Sequence, residues 1–269
     1  MTRPPERLVL LGYPVAHSLS PPMHNAALRE AGIALRYAAL EVAPAALAKA
    51  VLRLVSERAA GNVTVPHKAS VAALCDRLTT TAARAAAVNT FWVDDHGGLV
   101  GDNTDVPGFD TVARGLIGET PSDIRMLLLG AGGSAAAVLT AAEQWPGSEV
   151  AIWSRTPARA AALADRFPKI GGVTNDLATA AASASFVVNA TPVGLTGDAM
   201  PMAPHLSPSG CVVMDLVYRS GETAWVRAAR ARGLRAADGL PMLVEQGALA
   251  FERWFGRAPD REAMWNAVR

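Results

Sequence analysis

Short apolar runs alternate with helical stretches along the second half of the chain. Four of these runs have the length and composition of buried strands: 125–129, 149–153, 186–189 and 212–215. Helical segments at 134–143 and 157–167 follow the first two. This repetition of strand, turn and helix predicts an open, doubly wound parallel sheet with helices on both faces.

The first half also alternates, although with more polar residues. Strand-like segments are predicted at 8–11, 36–42, 62–65 and 88–93, and helical ones at 21–31, 44–59, 70–74 and 80–86. In 44–59, for example, Leu47, Val51 and Leu54 fall on one helical face. The alternation predicts a second α/β layer. A helix signal at 108–116 joins the two blocks, and a helical stretch runs from 241 to the end.

Composition narrows the class of protein. The 269 residues are 51% hydrophobic, yet the longest apolar runs are well short of a membrane span, and residues 1–7 lack the apolar core of a signal peptide. Cys75 and Cys211 stand far apart without metal-ligand spacing, so we expect no disulfide, no zinc and a reducing, cytoplasmic setting. A net charge of +1 gives no reason to expect a nucleic-acid or membrane partner.

A glycine-rich loop follows the strand at 125–129 and precedes a helix. Its residues are Gly130, Ala131, Gly132, Gly133 and Ser134. Glycines allow a tight turn that brings backbone N–H groups to a pyrophosphate, and the helix N-terminus adds partial positive charge. A GxG alone could be a simple strand–helix turn, but the flanking strand and helix favour a dinucleotide site.

The segment after the next strand indicates which dinucleotide. An NAD site requires an acidic residue there for the ribose 2′-hydroxyl, whereas this chain has Ser154, Arg155, Thr156 and Arg159. Guanidinium groups suit a 2′-phosphate. The alternative is that both arginines are solvated residues of a helix start, but cations are disfavoured at that end of a helix. We therefore predict NADP.

Polar residues cluster near predicted strand ends in the first half. Ser18 and Ser20 are two apart in a loop, Thr64 follows a short strand, and Asn89 lies beside another. Such positions suit a small polyhydroxylated or anionic ligand, because ligands bind at strand ends in α/β folds. Ser20 could instead be only a helix N-cap.

Lys68 and Asp105 are the candidate catalytic residues. Alcohol oxidation by hydride transfer needs a base for the hydroxyl proton, and a lysine paired with a carboxylate can serve. Alternatively, Lys68 is a surface lysine and Asp105 caps the helix that follows. His17, His24 and His67 lack accompanying carboxylates or thiols, so we expect no metal site.

The motifs together resemble those of the shikimate dehydrogenase family over essentially the whole chain. In order they are GYPVAHSLSPPMHN at 12–25, NVTVPHK at 62–68, AVNT at 87–90, GDNTD at 101–105, GAGG at 130–133, NATPVG at 189–194, DG at 238–239 and LVEQ at 243–246. The chain departs from the family at Val106 and Pro107, where many members have glycine directly after the aspartate.

The resemblance implies NADP-dependent interconversion of 3-dehydroshikimate and shikimate by a two-domain α/β enzyme, either monomer or homodimer. Residues 1–105 would form the substrate domain, joined by the C-terminal helical segment 241–269, and 106–240 a Rossmann-like domain. Lys68 and Asp105 match the family's catalytic pair. Its shikimate contacts match Ser18, Ser20, Thr64, Asn89, Tyr218 and Gln246, and its NADP contacts match the glycine loop, 154–159, Leu216 and Gly239.

Three alternatives remain at this point. A relative acting on quinate or aminoshikimate would share the scaffold. A methylenetetrahydrofolate-dehydrogenase-like protein has the same domain order, but the paired serines and the Lys–Asp pair do not suit it. A non-catalytic nucleotide-binding protein would have no need for every catalytic motif position to be filled.

Overall fold

A computed structural model describes residues 3–219 and 221–269. The chain divides into two compact units, one of Met1–Gly108 with Leu243–Arg269 and one of Phe109–Met242. In the described chain the strands are β1 Arg7–Gly12, β2 Tyr37–Glu41, β3 Ala59–Val63, β4 Arg77–Leu78, β5 Thr90–Val93, β6 Leu99–Asp102, β7 Arg125–Leu129, β8 Glu149–Trp153, β9 Gly171–Val173, β10 Phe186–Asn189, β11 Val212–Asp215 and β12 Arg235–Ala237.

The α-helices connect these strands in sequence. They are α1 Ser20–Glu30, α2 Leu47–Ser56, α3 Lys68–Ala72, α4 Thr80–Ala85, α5 Asp105–Ile117, α6 Gly133–Ala142, α7 Pro157–Ala164, α8 Leu177–Ser183, α9 Ala224–Ala231, α10 Leu240–Phe255 and α11 Arg261–Asn266. Short 3-10 turns occupy Pro44–Ala46 and Pro204–Leu206. Within the described residues, no helix is long and apolar enough to span a bilayer.

The sheet of the first unit is mixed, in the order β2-β1-β3-β5-β6-β4. Strand β1 runs parallel to β2 and β3, whereas β5 is antiparallel to both β3 and β6. The apolar face predicted for α2 packs on this sheet, where Leu47, Val51 and Leu54 meet Val9 and Phe91. Propensity and burial agree in α2, because most of its residues are alanine, leucine, lysine or arginine and its apolar face is buried.

The sheet of the second unit is parallel throughout, in the order β12-β11-β10-β7-β8-β9. This confirms the predicted doubly wound, Rossmann-like sheet. The strand order reverses between β7 and β10, so the carboxyl ends of these strands form the crevice where such folds bind ligands. Gly130 follows β7 there, and Asn189 ends β10.

Several predicted boundaries were wrong; the helix predicted at 157–167, for example, ends at Ala164. The helix predicted to reach Ala59 ends at Ser56, because Arg58 adopts a left-handed backbone (φ +46°) and the next residue begins β3. The strand predicted at 62–65 is β3, which runs from Ala59 to Val63 alongside β1. The C-terminal helical stretch is two helices, since Gly256 is left-handed at φ +66° and ends α10.

Candidate active site

Lys68 and Asp105 form an ion pair in the first unit. Each is the first residue of its helix, α3 and α5, and Lys68 Nζ lies 2.5 Å from Asp105 Oδ2. Their side chains are only 13% and 8% exposed. Lys68 is therefore not a solvated surface lysine. Asp105 lies inside α5 and does not precede it as a cap. Pro107 fits the first turn of α5, where no intrahelical acceptor awaits its missing N–H.

Asn89 joins this pair to the C-terminal part of the unit. Its Nδ2 lies 2.8 Å from Asp105 Oδ1, 3.0 Å from Thr104 Oγ1 and 3.2 Å from Gln246 Oε1. Its Oδ1 accepts from the Thr104 backbone N–H at 2.7 Å. Both oxygens of Asp105 are thus held, one by an ammonium and one by an amide, which fixes the carboxylate and the lysine together.

The turn before α3 presents Lys68. His67 N–H donates to the Thr64 carbonyl at 2.9 Å, and the His67 ring nitrogen Nε2 lies 2.7 Å from the Val42 carbonyl. After the turn, Val88 N–H donates to the Lys68 carbonyl at 2.9 Å. The backbone on both sides of the lysine is therefore tied to neighbouring segments, so the side chain projects from a fixed base.

The loop between β1 and α1, which carries Ser18, is hydrogen-bonded to the same turn. Tyr13 N–H donates to the Val65 carbonyl at 3.0 Å, and a Cβ on Gly12 would lie 2.5 Å from Thr64 Cγ2. Only glycine permits that approach. Ser18 Oγ accepts from Ser20 N–H at 3.2 Å. Ser20 is buried and is the first residue of α1, whose N-cap is Leu19. The simple N-cap interpretation of Ser20 is therefore wrong.

His17, His24 and His67 have different surroundings and do not form a cluster. His17 is exposed, and His67 is engaged with Val42 as described above. His24 is buried and stacks on Tyr37 at 4.5 Å between ring centroids, and burial lowers its pKa to about 3. In the described part of the chain, no three histidine, cysteine or acidic residues are grouped to hold a metal ion.

The glycine loop of the second unit has the features that a phosphate group needs. Gly130 is left-handed (φ +113°), and a Cβ there would lie 2.9 Å from the Ala190 carbonyl oxygen. Gly132 is the N-cap of α6, makes no side-chain cap, and has open space where a Cβ would lie. The first N–H groups of a ten-residue helix therefore remain available to an anion.

The 2′-phosphate candidates follow β8 in the same unit. Arg155, Thr156 and Arg159 are exposed, and Thr156 N–H donates to Ser154 Oγ at 3.2 Å. Among the residues described, neither arginine forms an ion pair. Two unpaired cations without a carboxylate at the strand tip fit a phosphate group and do not fit a ribose diol.

Asp215, at the end of β11, is a buried carboxylate that was not among the predicted site residues. It is fully buried and accepts hydrogen bonds from Asn189 Nδ2 at 2.8 Å, Thr223 Oγ1 at 2.8 Å and Val217 N–H at 3.1 Å. Burial raises its pKa to about 6, against the lowering effect of those bonds. The only signal in the sequence was its position at a strand end, shared with Asn189.

Three further predicted site residues of the second unit are Leu216, Tyr218 and Gly239. Leu216 and Tyr218 come directly after β11, and Tyr218 is half-buried. Gly239 lies where a Cβ would be 2.4 Å from the Leu216 carbonyl oxygen, so these two predicted cofactor contacts are neighbours. In the first unit, Gln246 packs against Gly108, where a Cβ would lie 3.1 Å from the Gln246 nitrogen.

Comparison with known proteins identifies the family. The shikimate dehydrogenase (NADP(+)) of Rubrobacter xylanophilus is 45% identical over 96% of this chain and 94% of its own. The chain belongs to the shikimate dehydrogenase family. A family model for the shikimate dehydrogenase substrate binding domain matches residues 10–91, and one for the shikimate 5'-dehydrogenase C-terminal domain matches 239–269.

Solved members of the shikimate dehydrogenase family share the whole fold. The shikimate 5-dehydrogenase of Thermus thermophilus, crystallised with NADP(H) and shikimate, is 40% identical, with 97% of each chain covered and a TM-score of 0.85. The shikimate dehydrogenase of Aquifex aeolicus is 34% identical, with 98% of each chain covered and a TM-score of 0.90. The family resemblance inferred from the motifs is confirmed.

Proposed function

We propose that this protein catalyses the reversible, NADP-dependent reduction of 3-dehydroshikimate to shikimate in aromatic amino acid biosynthesis. The observation that carries the proposal is the shielded Lys68–Asp105 pair, held by Asn89 beside Gln246. A ketone reduction needs one proton delivered to the carbonyl oxygen, and this pair is a fixed proton donor of the required kind. The family membership supplies the substrate class.

Lys68 is the proton-handling residue in this proposal. Bound NADPH supplies the hydride for the carbonyl carbon. As negative charge develops on the carbonyl oxygen, the Lys68 ammonium donates a hydrogen bond and then a proton to it. In the reverse direction, the neutral amine removes the hydroxyl proton. Asp105 orients Nζ, so the ammonium needs no rearrangement at the moment of reaction.

The predicted contacts divide between the two units. We propose that the substrate is held by Ser18, Ser20, Thr64, Asn89, Gln246 and Tyr218. For the cofactor we propose Gly130, Ala131, Gly132, Gly133, Ser134, Ser154, Arg155, Thr156, Arg159, Leu216 and Gly239. We propose residues 1–105 with 241–269 as the substrate and catalytic domain and 106–240 as the NADP domain, with bounds a few residues from those of the two compact units. The open helix start and unpaired arginines support the cofactor assignment.

Steady-state kinetics on the purified protein test this function. Initial rates are measured with shikimate, quinate and aminoshikimate, each with NADP and with NAD. We expect kcat/KM to be highest for shikimate with NADP. A higher value for quinate or aminoshikimate would reassign the protein to the sister activity, and equal values with both cofactors would refute the arginine-based selection.

We further propose that the enzyme works in the cytoplasm as a monomer or homodimer. Its two cysteines are free, as suits a reducing compartment. Light scattering coupled to size exclusion distinguishes the two assembly states, and a larger oligomer would contradict both.

A further inference from the structure

We propose that Asp102, together with Arg253, is a positioning residue of the active site. Its carboxylate couples the turn that presents Asp105 to helix α10, which carries Gln246. The proposal rests on the proposed function, because it assigns Asp105 and Gln246 to substrate chemistry. Asp102 itself touches neither Lys68 nor Asp105 through any described contact, so its effect would be indirect.

The Asp102 carboxylate is almost completely enclosed and fully engaged. Its side chain is 3% exposed. Oδ1 accepts from the Thr79 hydroxyl and from Asn103 N–H, the latter at 2.7 Å. Oδ2 accepts from Arg253 Nε at 2.8 Å. A buried carboxylate requires such partners, and Arg253 is the only cation among those described.

One side of the coupling is the turn before α5. Asp102 accepts from Asn89 N–H through its backbone carbonyl at 3.1 Å, and Asn103 Nδ2 donates to the Ala87 carbonyl at 2.8 Å. Thr104 N–H donates to Asn89 Oδ1 at 2.7 Å. Residues 102–104 are therefore fixed along 87–89, and Asp105 follows directly. The bond from Asn103 N–H to the Asp102 carboxylate shapes the start of this turn.

The other side is helix α10. Gln246 and Arg253 are seven residues apart, which is two helical turns, so they lie on the same face. Gln246 meets Asn89 on that face, and Arg253 meets Asp102. Trp254 Nε1 adds a bond to Thr90 Oγ1 at 3.1 Å. The Arg253 contact therefore restrains the axial position of the helix, on which the reach of Gln246 to Asn89 depends.

Replacement of Arg253 opens no cavity, because its side chain is 55% exposed, but it leaves the buried Asp102 carboxylate without its cation, so the unfolding free energy of each variant is measured alongside its kinetics. The test variant is Arg253→Gln. The matched control is Glu252→Gln, at the neighbouring position on α10. It removes the ion pair of Glu252 with Arg261 of α11, at 3.7 Å. We expect kcat/KM for shikimate to fall about tenfold in Arg253→Gln, with KM for NADP unchanged, and Arg253→Lys to recover part of the loss. The control should match wild type.

Two outcomes overturn the positioning role. One is a kcat/KM for shikimate in Arg253→Gln equal to that of Glu252→Gln. The other is an equal rise in KM for both shikimate and NADP, which would indicate general loosening. Wild-type protein in the same assay separates the positioning role from the proposed function. Absence of shikimate turnover in the wild type would refute the proposed function and not the positioning role.

Hydrogen exchange tests the coupling without turnover. The Asn103 and Thr104 amides should exchange faster in Arg253→Gln than in Glu252→Gln, since Asn103 N–H donates to the Asp102 carboxylate and Thr104 N–H donates from the same turn to Asn89 Oδ1. Identical exchange in the two variants would also overturn the proposal.

Discussion

The two units prepare their proposed ligand sites in opposite ways. In the first, Lys68, Asp105, Asn89 and Gln246 already satisfy one another through side-chain hydrogen bonds and are shielded from water. In the second, the candidate cofactor groups are backbone N–H groups at an open helix start and two exposed arginines without ion-pair partners in the described chain.

This difference follows from what each ligand brings. A neutral carbonyl brings little charge, so the protein must hold its proton donor oriented beforehand, at the cost of burying an ion pair. A dinucleotide with a 2′-phosphate brings its own anions, so unpaired donors and cations suffice. The contrast predicts that single substitutions will be most damaging in the first unit.

Removal of the lysine gives the largest expected effect. In Lys68→Ala we expect kcat to fall by about a thousandfold, since general acid–base catalysis contributes roughly 10²–10⁴-fold. Binding of substrate should change modestly and that of NADP very little. Single-turnover rates and fluorescence titrations measure both. Lys49→Ala, an exposed lysine on α2, is the control. Activity near wild type in Lys68→Ala would remove this residue from the chemistry.

Removal of an arginine proposed to bind the 2′-phosphate should have a smaller effect than removal of Lys68, and should weaken the binding of NADP only. We expect Arg155→Ala to weaken NADP about tenfold to hundredfold, as for loss of a hydrogen bond to a charged group, and to leave NAD nearly unchanged. Dissociation constants of both cofactors give the comparison, with Lys169→Ala as an exposed-cation control in the same unit. Equal weakening of both cofactors would mean that Arg155 does not contact the 2′-phosphate.

The smallest expected effect concerns Asp215 and pH. Its pKa is raised to about 6, so the folded state binds an extra proton between the unfolded value near 3.8 and pH 6. The resulting stability is complete below pH 3.8 and is lost as pH rises through 6. Relative to wild type, Asp215→Asn should therefore gain about 1 kcal/mol in unfolding free energy between about pH 5 and pH 8.

Urea denaturation at both pH values measures this gain. Asp176→Asn is the control, because the hydrogen bond from the Thr179 side chain lowers the pKa of that exposed carboxyl, which is therefore charged at both pH values. The difference in unfolding free energy between Asp176→Asn and wild type should be the same at both pH values. A parallel pH dependence for Asp215→Asn and wild type would show that Asp215 does not titrate in this range.

Local pattern was sufficient where strands are apolar and regular. The runs predicted at 125–129, 149–153, 186–189 and 212–215 coincide with β7, β8, β10 and β11. Strands β7, β10 and β11 are buried almost throughout, as interior strands of a parallel sheet are, whereas β8 is only partly buried. Strand β4 has only two residues, and β6 contains Gly101 and Asp102, so neither shows an apolar period. Both exist because of their neighbours in the sheet.

The same limit applies to the site. Motifs located Lys68 and Asp105, but Asp102–Arg253 joins residues 151 apart in the chain and Asn189–Asp215 residues 26 apart. Such pairs depend on strand order and helix placement, which no local period encodes. Asp102 and Asp215 are buried carboxylates that hydrogen-bond to neighbouring groups, and in the sequence each resembles an ordinary aspartate at a strand end.

The discontinuous first unit has a consequence for synthesis on the ribosome. Residues 109–242 form one unbroken unit, which can fold as it emerges. The earlier segment must wait, because Gln246, Arg253 and Trp254 are translated last. Until then Asp102 lacks its guanidinium and Thr90 its indole partner. The part of the enzyme translated first is thus completed last, and a nascent chain stalled before α10 would expose an unfinished substrate domain to chaperones and proteases.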